Sequence, residues 1–297
     1  MYRTFATMRN VCFIAILLFL VSCGGNRPID IEGHRGSRGE YPENSIQGFL
    51  HALEIQVTTL ELDVHISADG QVVVCHDPVV PEFCSLRGLE GSDSLPRPKI
   101  YELTAEQLRN WDCGSTPVTR FPLQRKMDTY IPTLEEVIHS VEMTIVKKGL
   151  NPVNYNIEIK STPDGDGVTH PSVDEFANLV LDVVYRKKVE NRTIIQSFDT
   201  RALQVVRERK SDMHLALLVD ESEDYQEKIK ALGFKPHVIS PFYKLVTEEL
   251  VDYAHDKNML VVPWTVNDVK EAERLVGLDV DGIITDYPDS MLFLRTL

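Results

Sequence analysis

The chain has 297 residues, 43% of them hydrophobic and 26% charged, which is the composition of a globular protein. The length suits one large domain of the α/β barrel type, and 16 glycines with 16 prolines are too few for a collagen-like or low-complexity chain. Lysine and arginine number 31 against 45 aspartates and glutamates, so the net charge is −14. A protein this acidic does not attract a polyanion, and nucleic acid is not expected as a partner.

The first 22 residues have the pattern of a secretion signal. Arg3 and Arg9 precede an apolar run at 11–21, which is shorter than the roughly 20 residues of a membrane-spanning helix. The sequence Leu-Val-Ser-Cys at 20–23 resembles the lipobox of bacterial lipoproteins, in which the cysteine becomes the lipidated first residue. We therefore expect residues 1–22 to be a signal peptide, Cys23 to carry a lipid anchor, and residues 23–28 to form a tether. The expected location is exported, anchored to a membrane surface on the periplasmic or cell-surface side.

Short strands rich in Val, Ile and Leu then alternate with segments of helical period. The predicted strands are 29–34, 59–66, 71–76, 155–160, 193–198, 214–219, 237–241, 259–266 and 282–286. The predicted helices are 44–56, 133–147, 172–187, 200–208, 225–232, 247–256 and 267–276. Repeated strand-helix units predict a parallel sheet, and their number fits a closed α/β TIM (β/α)8 barrel better than an open doubly wound sheet.

The stretch 78–130 follows the third strand and has no regular pattern. We predict that it is an inserted subdomain over the catalytic face of a barrel domain that spans 29–297. It contains Cys84 and Cys113, whereas Cys75 lies beside an apolar run where a buried thiol is usual. An oxidising compartment permits a disulfide, and we expect Cys84 and Cys113 to be the pair, although sequence does not fix the connectivity.

The most informative region is the second and third strands. Glu61, Asp63 and His65 alternate with aliphatic residues and therefore share one face of the second strand. If the Asp-Gly pair at 69–70 is the centre of a two-residue turn, Asp63 lies directly opposite His76. The spacing predicts one polar cluster of Glu61, Asp63 and His76 in a buried hairpin. The alternative is an edge hairpin with a solvated polar face, which the apolar neighbours disfavour.

Two further groups belong to the same end of the predicted barrel. Glu158 and Lys160 alternate with isoleucines and project the same way from a short strand. Three carboxylates at strand ends form an oxygen-rich site suited to Mg²⁺ or Ca²⁺ and not to zinc. His34 and Arg35 follow the first strand, where they could supply acid-base chemistry and an anion clamp.

The order of these motifs resembles the signature of the glycerophosphodiester phosphodiesterase family. The matching segments cover nearly the whole mature chain and are His34-Arg35-Gly36, Pro42-Glu43-Asn44-Ser45, Glu61-x-Asp63-Val64, Asp69-Gly70, Val73-x-x-His76-Asp77, Glu158-Ile159-Lys160, Gln196-Ser197-Phe198-Asp199, Trp264-Thr265-Val266-Asn267 and Asp281–Pro288. The resemblance implies a TIM barrel and divalent-metal-dependent cleavage of glycerophosphodiesters to glycerol 3-phosphate and an alcohol. It also implies an insertion where 78–130 falls.

Carried over residue by residue, the resemblance makes His34 and His76 the acid-base pair and Arg35 a phosphate ligand. It makes Glu61, Asp63 and Glu158 the ligands of one metal ion, Ca²⁺ or Mg²⁺. Lys160 faces the same mouth and could hold a phosphate oxygen, and Trp264 either forms an apolar wall beside the alcohol or is a packed barrel residue. The sequence leaves open which histidine is the acid and whether water or the glycerol 2-hydroxyl attacks.

Two other functions compete with this one. The first is phospholipase C-like or D-like hydrolysis of lyso- or intact phospholipids, and the three carboxylates count against its metal-independent form. The second is a non-catalytic lipoprotein that binds phosphodiesters. A missing catalytic residue would indicate the second, and no catalytic residue is missing. The expected partners are therefore a small glycerophosphodiester and, through Cys23, a membrane surface.

Overall fold

The computed structural model describes residues 28–89 and 96–296. The predicted signal peptide, the lipid attachment site Cys23 and the tether up to residue 27 lie outside the described residues. The strands are β1 Asp30–Gly33, β2 Thr59–Ile66, β3 Val72–Val74, β4 Ser85–Leu86, β5 Trp111–Asp112, β6 Asn154–Ile159, β7 Thr193–Ser197, β8 His214–Val219, β9 Val238–Pro241, β10 Leu260–Val261 and β11 Gly282–Thr285. The α-helices are α1 Ile46–Glu54, α2 Ala105–Leu108, α3 Leu134–Lys148, α4 Val173–Lys187, α5 Thr200–Arg209, α6 Tyr225–Leu232, α7 Glu248–Asp256, α8 Val269–Gly277 and α9 Pro288–Met291.

Eight parallel strands form the barrel, in the order β10, β9, β8, β7, β6, β2, β1, β11. Backbone hydrogen bonds close the ring between its two ends, from Asp281 N to Val261 O and from Ile284 N to Pro263 O, each 2.9 Å long. The prediction of a (β/α)8 barrel is thereby confirmed. All eight strands end at the same rim, so residues that follow different strands meet there.

The barrel interior has a polar half and an apolar half. Outward-facing strand residues pack against the helices in one large core. On the inner side, β8 to β11 contribute a separate apolar cluster of Ala216, Val238, Val262 and Ile284. On the other side, β1, β2, β6 and β7 direct buried polar residues inward, among them Glu32, Glu61, Asn156 and Gln196. The functional groups above this polar half therefore stand on hydrogen-bonding side chains.

The register of the β2–β3 hairpin corrects the sequence prediction. Ladder partners are Val64 with Val74 and Ile66 with Val72, so Asp63 lies beside Cys75 and not opposite His76. The turn has three residues, because Gly70 N donates to Ser67 O at 3.0 Å and Gly70 has a φ of 73°. A type I turn followed by a left-handed glycine adds one residue to the loop and shifts the register by one.

Two predicted element bounds also need correction. The helix predicted from 44 begins at Ile46, because Asn44 has a φ of 54° and the Ser45 hydroxyl accepts the first capping bond from Gly48 N. The strand predicted over 259–266 is reduced to Leu260–Val261, and beyond it Trp264 forms only an isolated bridge with Phe242. Pro241 of β9 has no N–H to donate to Val262 O, which interrupts the ladder between β9 and β10, and the Ser240 hydroxyl donates to that oxygen instead.

The segment 78–130 contains a small two-stranded sheet of β4 and β5, the helix α2, and its own apolar cluster. Cys84 and Cys113 form a disulfide with a Cα–Cα distance of 4.1 Å, as expected. Cys75 is a buried free thiol in the same cluster. Within residues 28–89 and 96–296, none of the helices combines the length and apolar character that crossing a membrane requires.

Candidate active site

The predicted site residues gather around one cavity of about 700 Å³ at the carboxyl ends of the barrel strands. Seven of the eight residues line it, namely His34, Arg35, Glu61, His76, Glu158, Lys160 and Trp264. The eighth, Asp63, lies beside Glu61 and Glu158. The structure thus brings the whole predicted set together, although the hairpin register that was expected to do so is different.

Three buried carboxylates form the floor of the site. One oxygen from each of Glu61, Asp63 and Glu158 lies within 4.8 Å of the other two. Burial, and then repulsion from the other two acids, raises the pKa of Glu61 well above its usual value. Carboxylate oxygens are the ligands that Mg²⁺ and Ca²⁺ prefer, and a cation would remove this repulsion. The three residues present therefore fit a divalent cation.

Local cations hold one of these acids ionised. Burial alone would raise the pKa of Asp63, but Arg35 and Lys160 keep it well below its usual value. Arg35 Nε lies 3.2 Å from Asp63 Oδ2, and Asn44 Nδ2 donates to the same oxygen at 2.9 Å. Lys160 Nζ lies 3.0 Å from Glu158 Oε1 and 3.8 Å from Asp63 Oδ1, as the strand alternation predicted.

The turn after β1 has a left-handed backbone at Arg35 and at Gly36. Arg35 adopts a φ of 50°, which directs its N–H to Glu61 Oε2 at 2.9 Å and its guanidinium to Glu43 at 3.0 Å. Gly36 has a φ of 90°, and a Cβ there would lie 2.8 Å from the Gly48 carbonyl carbon. Only glycine permits this close approach to α1.

His34 is oriented by an acid from the other end of the chain. Its Nδ1 lies 2.6 Å from Asp286 Oδ1, and Asn267 Nδ2 donates to Asp286 Oδ2 at 2.7 Å. Burial would raise the pKa of Asp286, but the charge and hydrogen bond of His34 lower it to about 2, so the carboxylate accepts and Nδ1 carries the proton. His34 Nε2 is then directed toward the site, 4.0 Å from Glu61 Oε2. Burial lowers the pKa of His34, which favours the neutral base.

His76 reaches the same cavity from beyond the end of β3. Its Nδ1 lies 2.7 Å from Asp77 Oδ1, and the pKa of Asp77 is lowered by that bond. His65 Nε2 donates to the carbonyl oxygen of His76 at 3.1 Å and fixes the backbone there. With 32% of its side chain exposed, His76 is the more accessible of the two histidines. Each imidazole therefore has its Nδ1 on a carboxylate, and no hydrogen bond from the described residues engages its Nε2.

Aromatic residues form the opposite wall of the cavity. The rings of Trp264 and Phe198 meet edge to face at 5.4 Å, and Phe242 packs on Trp264 at 5.6 Å. Trp264 Nε1 donates to Ser240 O at 3.0 Å. Trp264 thus combines both interpretations of its sequence position, because it packs on barrel strands and also lines the cavity.

Several residues that position the site were not assigned roles from the sequence. Asp286 follows β11 as His34 follows β1, and closure of the barrel makes these two strands neighbours. The prediction of a closed barrel was therefore enough to infer that the first and last strands are neighbours. Gln196 donates from Nε2 to Glu61 Oε1 at 2.8 Å, and its two-residue spacing from Phe198 in a strand was the signal that both face inward.

Enzymes with a (β/α)8 barrel have their active sites at the carboxyl ends of the strands, which is where the carboxylates and histidines of this chain lie. The sequence profile of the glycerophosphoryl diester phosphodiesterase family matches residues 34–290. A glycerophosphodiester phosphodiesterase from Caldanaerobacter subterraneus is 30% identical over 261 residues, covering 88% of this chain and 95% of its own. One from Bacillus altitudinis is 29% identical over 269 residues, covering 89% and 97%.

A solved structure from Silicibacter pomeroyi, assigned as a glycerophosphoryl diester phosphodiesterase, superposes with a TM-score of 0.80 at 29% identity. The match covers 92% of this chain and 95% of the other. The chain therefore belongs to the glycerophosphoryl diester phosphodiesterase family, and it is a phosphoric diester hydrolase.

Proposed function

We propose that the protein cleaves glycerophosphodiesters to glycerol 3-phosphate and an alcohol, with one bound Ca²⁺ or Mg²⁺ and a pair of histidines as acid and base. The observation that carries this proposal is the presence of three buried carboxylates and two carboxylate-oriented histidines around one cavity. Glu61, Asp63 and Glu158 would hold the cation. When bound, it would supply positive charge to the phosphoryl oxygens.

The side chains of the protein provide the remaining chemistry. Arg35 is buried and Lys160 is half-buried beside the carboxylates, and these two cations are the groups proposed to bind phosphoryl oxygens. One histidine takes the proton of the attacking oxygen, and the other donates a proton to the departing alkoxide. Asp286 and Asp77 hold Nδ1 of His34 and His76, so the two Nε2 atoms are the groups proposed to exchange protons.

The two histidines are distinguished by varying the leaving group. His34→Ala and His76→Ala should each lower kcat for glycerophosphocholine by about 100-fold or more. With a glycerophosphodiester of 4-nitrophenol, whose leaving group needs no proton, the variant that lacks the acid should regain most of its activity. His139→Ala is the matched control, because His139 is exposed on α3. Retention of near-normal activity on glycerophosphocholine by either variant would contradict the proposed acid-base pair.

The proposal includes the location of the enzyme. Lipidation of Cys23 would hold the barrel on a membrane surface, on the exported side, which the signal-like pattern at 1–22 supports. Metabolic labelling with a fatty acid and detergent-phase partition should then depend on Cys23, and Cys23→Ala should move the protein to the aqueous phase.

Hydrolysis of lysophospholipids but not of glycerophosphodiesters would favour the phospholipase alternative.

A further inference from the structure

A buried acid in the polar half of the barrel has no part in the mechanism above. The Glu32 side chain belongs to β1 and is 1% exposed. Among the described residues, its carboxylate forms no ion pair. Burial, and then the nearby Asp30, raises its pKa well above the usual value. An acid retained at such a position in a barrel interior calls for a structural or functional reason.

Glu32 is joined to the carboxylate cluster by two amides. Asn156 Nδ2 donates to Glu32 Oε2 at 2.7 Å and to Gln196 Oε1 at 3.2 Å. Gln196 Nε2 then donates to Glu61 Oε1 at 2.8 Å. All four side chains are at most 2% exposed, and they come from β1, β6, β7 and β2. The chain of hydrogen bonds therefore crosses the barrel interior and ends on a proposed metal ligand.

The direction of these hydrogen bonds follows from the Glu61 end, because a carboxylate that binds a cation is ionised and only accepts. Gln196 therefore presents Nε2 to Glu61 and Oε1 to Asn156. Gln196 Oε1 needs a donor in turn, so Asn156 presents Nδ2 to Gln196 and, with the same nitrogen, to Glu32 Oε2. Asn156 Oδ1 is consequently buried, and it has no hydrogen-bond partner in the part of the chain that the structure describes. That cost indicates that the amide is held in this orientation by the acceptors of Glu32 and Gln196.

We propose that Glu32, Asn156 and Gln196 are positioning residues that hold Glu61 in the orientation in which it binds the cation. Gln196 and the Arg35 N–H each occupy one oxygen of Glu61, at 2.8 and 2.9 Å, which fixes the plane of the carboxylate. Partners of this kind commonly change metal affinity by about 10- to 100-fold. This inference rests on the proposed role of Glu61 as a metal ligand.

The test measures Ca²⁺ and Mg²⁺ dissociation constants by calorimetry on the purified protein, without substrate. Gln196→Met keeps the length of the side chain but removes the donor, and it should weaken binding by about tenfold or more. Glu32→Met should weaken it less, because it acts through two amides. Glu32→Gln retains an acceptor oxygen and should stay within about twofold of the unmodified protein.

Val262→Ala is the matched control in the apolar half of the same interior. It should lower the thermal midpoint of the metal-free protein and leave the metal affinity unchanged. If Gln196→Met and Glu32→Met lower the midpoint but bind the cation as tightly as the unmodified protein, the residues are only structural and the inference is wrong. If the unmodified protein binds neither cation, the proposed metal requirement fails first, and this inference falls with it.

Discussion

Glu61 and Asp63 lie two residues apart on β2, yet their pKa values move in opposite directions. Both are buried, which raises the pKa of a carboxyl group. Asp63 has Arg35 and Lys160 beside it, and their charges reverse the effect. Glu61 receives hydrogen bonds from a backbone N–H and an amide and is repelled by two acids. Without a cation, Glu61 is therefore the member of the cluster that most readily takes a proton.

The Asp286 carboxylate should matter for turnover more than for folding of the barrel. Asp286→Asn removes the charge that supports a protonated His34 and leaves a single acceptor oxygen where His34 and Asn267 each use one. We expect kcat to fall by about 100-fold, with a much smaller change in KM. Asp279→Asn is the matched control, because the Asp279 side chain is 95% exposed. Equal effects of the two substitutions on kcat would contradict the assigned role.

His65 should make the stability of the protein depend on pH. Burial lowers its pKa to about 4, whereas in the unfolded chain it is about 6.5, so between these values only the unfolded chain takes up the proton. Stability is thus full above pH 6.5 and falls as the pH is lowered to 4, by about 3 kcal/mol from this residue.

Denaturant unfolding of the protein and of His65→Gln at a series of pH values measures this contribution. Glutamine keeps a donor for the carbonyl of His76 but does not titrate. The variant should therefore lose less stability than the unmodified protein between pH 7 and pH 4. Parallel loss of stability in the two proteins would show that His65 does not contribute.

Among the elements, the β2–β3 hairpin shows where sequence reasoning is weakest. Asp69-Gly70 was correctly predicted to form a turn, but one residue more in the loop placed Cys75 beside Asp63. His76 still reaches the site, because it lies past the last ladder pair and is held by His65. The prediction that His76 lies at the same site as Glu61 is therefore correct, although the strand register from which it was made is wrong.

Two glycines should respond oppositely to alanine. Gly70 has a φ of 73°, so Gly70→Ala should lower the free energy of unfolding by about 1 kcal/mol. Gly277 ends α8 without a positive φ and with no atom within 4 Å of an added Cβ, so Gly277→Ala should leave stability unchanged or raise it by up to about 1 kcal/mol. Urea unfolding of both variants tests this. Destabilisation by Gly277→Ala equal to that by Gly70→Ala would contradict it.

Strand alternation was sufficient to place Glu61, Asp63, Glu158 and Lys160 around one point, because it follows from backbone geometry alone. The contacts of Asn44 were not predictable from the local pattern, which favoured a helical residue. Its left-handed φ and its bond to Asp63 depend on the fold bringing β2 beside the turn. A residue such as Asn44 contributes through a tertiary contact, and the hydrophobic periodicity of the sequence does not indicate which tertiary contacts a polar residue makes.

At the level of the whole molecule, closure of the barrel creates the site. It joins His34 to Asp286 across 252 residues and places polar and apolar halves side by side in the interior. The polar half lies beneath the carboxylates, where its amides can direct them. The apolar half lies beneath Phe242 and Trp264, which follow β9 and β10. The polar side of the interior thus lies under the charged side of the cavity, and the apolar side lies under the aromatic side.

The requirement for a cation is tested most directly by glycerol 3-phosphate release. The protein is stripped of metal and supplied with glycerophosphocholine or glycerophosphoethanolamine, with and without Ca²⁺ or Mg²⁺, beside a Glu158→Gln variant. We predict release only when a cation is added, and strongly reduced release by the variant at the same cation concentration. Undiminished release by the metal-free protein, or none with either cation although the protein is folded and binds metal, would contradict the proposed activity.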